Sequence, residues 1–125
     1  MITLSEVLII HEIVIEKFGG KYGVRDMDLL DSAIQRTNAT FDGKDLYPNV
    51  VDKASAIIES IVKNHPFNDG NKRVGYILMR LTLLKSNIDI VAKEDDKYEF
   101  VMKIAEGKLN FNEIKLWIEN KIEKK

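Results

Sequence analysis

Residues 65–73, His-Pro-Phe-Asn-Asp-Gly-Asn-Lys-Arg, set a dense run of polar and charged side chains between two strongly apolar segments. Before the run, Val50, Ala54, Ile57, Ile58, Ile61 and Val62 recur at the spacing of a wide helical face, and after it Val74, Ile77, Leu78, Leu81 and Leu84 do the same. Pro66 ends the first of these helices, because the residue before a proline is biased away from the helical region. Asn68-Asp69-Gly70 is a turn signal. The chain must therefore bring two core helices together at a charged corner. A plain helix–turn–helix corner needs a turn and a cap. It has no need of a histidine, a carboxylate, two cations and a second asparagine at the mouth of a core.

A phosphate site has that need. Gly70 lets the backbone approach a ligand without a Cβ in the way. A helix starting at Gly70 or Asn71 points free N–H groups and the positive end of its dipole into the turn, which favours an anion. Asn71, Lys72 and Arg73 add donors and positive charge. Asp69 is the one carboxylate present, and a hard carboxylate beside phosphates suits Mg2+. His65, at the helix exit, is the one nearby side chain able to act as a base near neutral pH. Phe67 pins the loop into the core. Lys63, two residues before His65, reads either as a solvated lysine or as a phosphate contact. Together these residues make a site for phosphoryl or nucleotidyl transfer.

The nine positions from His65 to Arg73 resemble the signature of the Fic/Doc superfamily, His-x-Phe-x-Asp/Glu-Ala/Gly-Asn-Gly/Lys-Arg. Phe18-Gly19-Gly20 after a first helix, a helix over residues 28–36 and the overall length resemble its short death-on-curing (Doc) branch. The resemblance covers most of the chain. It implies an all-α, single-domain fold over residues 1–125 with a central buried helix. It also implies ATP and Mg2+ as cofactors, and transfer of a phosphate-containing group to a protein hydroxyl. Carried over, His65 accepts the proton of the target hydroxyl and Asp69 ligates Mg2+. Gly70, Asn71, Lys72 and Arg73 hold phosphate, with Asn68 and Lys63 completing the candidate nucleotide-binding set.

Two departures choose between reactions. Members that transfer AMP have glycine where this chain has Lys72, and a further arginine where it has Tyr76. Both features resemble the Doc branch, whose nucleotide turns its terminal phosphate toward the histidine. The leading expectation is phosphorylation of a Ser or Thr on a translation-related target protein. AMP transfer is the second reading, and a catalytically silent antitoxin-binding module the third. Ser55 and Glu59 match part of the inhibitory helix motif of Fic proteins, but they lie inside the core helix and read as coincidence. Resemblance to Doc then implies a separate antitoxin partner that folds onto the protein.

The rest of the chain fits one compact domain. Its 125 residues are 45% hydrophobic, and a chain of this size buries about two thirds of its unfolded surface. A net charge of −1 argues against non-specific nucleic-acid binding. The absence of cysteine excludes disulfides and thiolate metal sites. With no basic leader and no long apolar run, the cytoplasm is the expected location and no membrane contact is expected.

Thr3-Leu4-Ser5-Glu6 is a capping box opening a helix that Gly19-Gly20 stops. His11, among its apolar residues, reads as a core histidine with a backbone partner. Asp26 or Asp28 caps a second helix. Asp42-Gly43 marks a hairpin in residues 37–49, which reads as a flap docking the target segment. Ile88-Asp89-Ile90 is a short extended link. A fifth helix over residues 94–106 turns Tyr98, Val101, Met102 and Ala105 inward. A sixth from Asn110 packs Phe111, Ile114, Trp117 and Ile118, and residues 121–125 fray into solvent. No sheet beyond the flap hairpin is expected.

Overall fold

The computed structural model describes residues 2–125. Six helices form its body: α1 (Leu4–Phe18), α2 (Met27–Arg36), α3 (Val50–Asn64), α4 (Asn71–Leu84), α5 (Glu94–Ala105) and α6 (Phe111–Lys121). Local chemistry sets their starts. Thr3 and Glu6 close the expected capping box on α1, Asp26 caps α2 by accepting from Leu29 N–H, and Asn49 caps α3 by accepting from Asp52 N–H. Asn110 and Glu113 form a second capping box on α6.

The expected central helix is α4, paired closely with α3. On α3, Ala54, Ala56, Ile57, Ile58, Ile61 and Val62 are all fully buried. Gly75 on α4 allows the close approach: a Cβ there would lie 2.7 Å from Val62 Cγ2. The pair divides the interior in two. On one side α1, α2 and Phe67 pack on Ile57, Ile61, Val74 and Leu78; on the other α5 and α6 pack on Ile58, Val62, Met79 and Leu83.

The hairpin forms where Asp42-Gly43 predicts it. Strands β1 (Thr40–Phe41) and β2 (Lys44–Asp45) pair antiparallel, with Asp42 and Gly43 both at positive φ, 54° and 77°. A second ribbon corrects the expectation of no further sheet. Strand β3 (Ile88–Ile90) pairs antiparallel with β4 (Ile122–Lys124), so the last residues are bound to the fold rather than frayed. Ile90, buried against the α5–α6 side, gives this pairing a reason to form. Arg80 ties the ribbon to α4, its Nε and Nη2 donating to the two Asp89 carboxylate oxygens at 2.8 and 2.9 Å. These bonds, with the Ile90 N–H and the Arg80 charge, hold the Asp89 carboxyl down to about 2. Their contribution to stability is thus present above the usual carboxylate range and is lost as pH falls toward 2.

The inward face of α5 also differs from expectation. Phe100 and Ile104 are its buried residues, with Phe100 stacked on Trp117 at 3.8 Å, while Tyr98 is 69% exposed. Val101 and Ala105 pack at the edge of the core as expected, whereas Tyr98 turns outward.

Candidate active site

The signature run starts where α3 stops. His65 is the C-cap of α3 in the left-handed conformation (φ 50°, ψ 58°), and its imidazole is exposed at the wall of a cavity. Phe67, 1% exposed, anchors the loop. It stacks on the buried His11 ring at 3.9 Å, nearly parallel. The Asn71 amide clasps Phe67 from within the loop: its Oδ1 accepts from Phe67 N–H and its Nδ2 donates to the Phe67 carbonyl, both at 3.0 Å. His11 Nε2 donates to the Asp69 carbonyl at 2.9 Å. Gly70 takes the left-handed conformation (φ 80°) that turns the chain into α4. Among the described residues no side chain caps the start of α4, which leaves its first-turn N–H groups available to an anion.

The connection between α1 and α2, residues 19–26, wraps the same loop. Lys21 N–H donates to Asp69 Oδ2 at 3.2 Å, and Asn68 Nδ2 donates to the Tyr22 carbonyl at 3.1 Å. Asn68 N–H donates to the Gly23 carbonyl, and the N–H groups of Arg25 and Asp26 both donate to the Pro66 carbonyl. The glycines are required by closeness. A Cβ at Gly20 would lie 2.6 Å from Asp69 Oδ2, and one at Gly23 would lie 2.9 Å from Asn68 Nδ2.

The cavity is about 700 Å³. His65, Asn68, Asp69, Gly70, Asn71, Lys72 and Arg73 all line it, so the structure brings together every candidate but one. Lys63 is that one: it pairs with Glu59 at 3.2 Å and donates to the Leu109 carbonyl, away from the cavity lining. Among those on the wall, Asn71 spends its side-chain bonds on the loop itself and Asn68 spends one on the wrapping connection. Lys72 and Arg73 are exposed, and the Arg73 guanidinium stacks over the Phe18 ring at 4.4 Å. Glu59 of the partial inhibitory motif is held by Arg36 at 2.8 Å as well as by Lys63.

Sequence reasoning missed the opposite wall. Glu94, Lys97, Tyr98, Val101 and Met102 of α5 close the cavity with Tyr76 and Ile77 of α4. Of the residues read there as core, Tyr98 and Met102 belong to this wall, Val101 serves both wall and core, and Ala105 stays at the core edge. Lys97 is paired to Glu94 at 3.1 Å. Burial pushes the Tyr76 phenol up, and its hydroxyl has no hydrogen-bond partner among the described residues. The glycines at 19, 20 and 23 were the one sequence signal for the wrapping connection.

Asp69 suits a divalent cation. One oxygen accepts from Gly70 N–H at 2.9 Å and the other from Lys21 N–H, which fixes the carboxylate while leaving lone pairs on each. Among the described residues no group of three or more His, Cys, Asp or Glu is placed to hold a metal. A Mg2+ at this wall would therefore take one protein carboxylate and complete its shell with phosphate oxygens and water.

Comparison with known proteins bears on this constellation. A family model described as Fic/DOC family matches residues 1–83. Over 86 residues the chain is 41% identical to the protein named Toxin Doc of Mycolicibacterium smegmatis (strain ATCC 700084 / mc(2)155), a match covering 68% of this chain and 66% of that relative. The match to that relative thus spans just under two thirds of its length. No helix among the described residues is long and apolar enough to cross a membrane.

Proposed function

The chain belongs to the Fic/DOC family, and from that premise we propose that it transfers the γ-phosphate of ATP to a Ser or Thr hydroxyl of a target protein. The observation that carries this reading is that His65 and the uncapped start of α4, flanked by Lys72 and Arg73, line one cavity. The His65 imidazole takes the proton of the attacking hydroxyl as the hydroxyl oxygen bonds to phosphorus, and ADP leaves. The α4 N–H groups, Lys72 and Arg73 orient the phosphates and offset their charge, so catalysis is mainly positioning and electrostatics. Mg2+, held by Asp69, would supply further neutralisation of phosphate charge.

Lys72 favours the γ-phosphate over AMP as the transferred group. Its stem fills space that a glycine would leave open, and its charge adds a phosphate contact. The name of the relative supports a toxin role, with an antitoxin as the partner that restrains it. The test supplies ATP labelled at the α or the γ position, with purified protein, to an extract of susceptible cells. Label from the γ position on a protein band, dependent on His65, is the expected result. Label from the α position alone means AMP transfer and overturns the reading of Lys72.

A further inference from the structure

The last carbonyls of a helix have no partner inside it, and a non-glycine residue in the left-handed conformation costs about 1–2 kcal/mol. Both problems fall together at the end of α3, where His65 has φ 50°. One residue answers them. Arg25 Nε donates to the His65 carbonyl at 2.6 Å and Arg25 Nη2 donates to the Asn64 carbonyl at 2.8 Å. The Arg25 backbone N–H donates to the next carbonyl, that of Pro66, at 2.8 Å. Three consecutive carbonyls, on both sides of the imidazole, are thus held by a single residue from the connection that wraps the loop. The guanidinium fork fits this task because its donors are fixed in one plane, and its charge sits at the negative end of the α3 dipole.

We infer that Arg25 is a positioning residue for His65: its fork locks the left-handed turn that sets the imidazole on the cavity wall. Arg25 touches neither the imidazole nor the phosphate corner by any bond in the structure, so it acts through the backbone of His65. The kinetic part of this inference rests on the phosphotransfer reading; the structural part does not.

Arg25 is exposed, so its replacement should leave the core intact. The experiment compares wild type, Arg25→Gln and Arg25→Lys by two readouts. The first is the imidazole NMR spectrum, which holds two histidines only. In Arg25→Gln the His65 resonances should split or broaden into several conformers while those of His11, buried under Phe67, stay in place. The second is γ-phosphate transfer at saturating ATP, which should fall about 10–100-fold for Arg25→Gln with ATP affinity unchanged. Arg25→Lys, whose ammonium lacks the fixed planar fork, should recover only part of both. A weakened ATP affinity with an unchanged rate would make Arg25 a nucleotide contact and overturn the inference. So would an unchanged His65 spectrum. If wild type transfers no label, the phosphotransfer reading falls, and the spectrum alone decides the role of Arg25.

Discussion

Residues 65–70 and residues 39–48 both connect helices at the surface, yet the first is tied along its length and the second mainly at its base. In the signature loop Pro66, Asn68 and Asp69 each bond residues far away in sequence, and Phe67 is buried with its ring stacked on His11. In the flap, two residues pair with two, Phe41 is 76% exposed and Leu46 is 51% exposed. Its base is held more firmly, where Arg36 donates to the Tyr47 hydroxyl at 2.9 Å and its guanidinium sits against the rings of both Tyr47 and Phe111. Chemistry that depends on placement to within an ångström calls for the first kind of construction. The second, with Phe41 and Leu46 exposed, suits the adaptable contact with a target segment that a flap would make.

The largest test of this contrast is His65→Ala. The fold should persist, since the side chain is exposed, while transfer falls on the order of 10²–10⁴-fold. Label transfer and a thermal melt measured on the same sample check both halves, and a variant as active as the parent would remove His65 as the base. Asn71→Ala comes next. It strips two bonds from Phe67 in a buried setting, so stability should fall by about 1–3 kcal/mol in denaturant melts. No change in midpoint would mean that the loop is not clamped as described.

Asp69→Asn should lower nucleotide affinity about tenfold in the presence of Mg2+ and little in its absence. Calorimetric titration with and without EDTA makes the comparison; equal Mg2+ dependence in both proteins would reduce Asp69 to a turn residue. The smallest effect belongs to the flap. Phe41→Ala should change stability by no more than about 0.5 kcal/mol and leave nucleotide binding alone. It should raise only the target concentration needed for transfer. A large loss of stability would show that the flap is part of the folded core.

Much of the loop was legible before the structure, because its order is local. Turn chemistry at Asn68-Asp69-Gly70, the helix stop at Pro66 and the capping residues Thr3 and Asp26 act within a few positions of themselves. What escaped is long-range. His11 reaches Asp69 across 58 positions and Arg25 reaches His65 across 40, and nothing in either neighbourhood announces the partner. The β3–β4 ribbon escaped for the same reason, since each strand alone is a three-residue scrap. The α5 wall escaped for another. A helix with apolar residues on two faces gives no sign of which one meets the core, and Tyr98 went to the cavity while Phe100 went inside.

The orientation of the bound nucleotide decides between phosphoryl transfer and AMP transfer. A structure of the protein bound to Mg2+ and a non-hydrolysable ATP analogue would read it at once. The γ-phosphate should lie against the first turn of α4, within reach of His65 Nε2 or Nδ1, with Lys72 and Arg73 on its oxygens. An α-phosphate in that place, with the γ-phosphate directed away from His65, would contradict phosphotransfer and make the chain an AMP transferase.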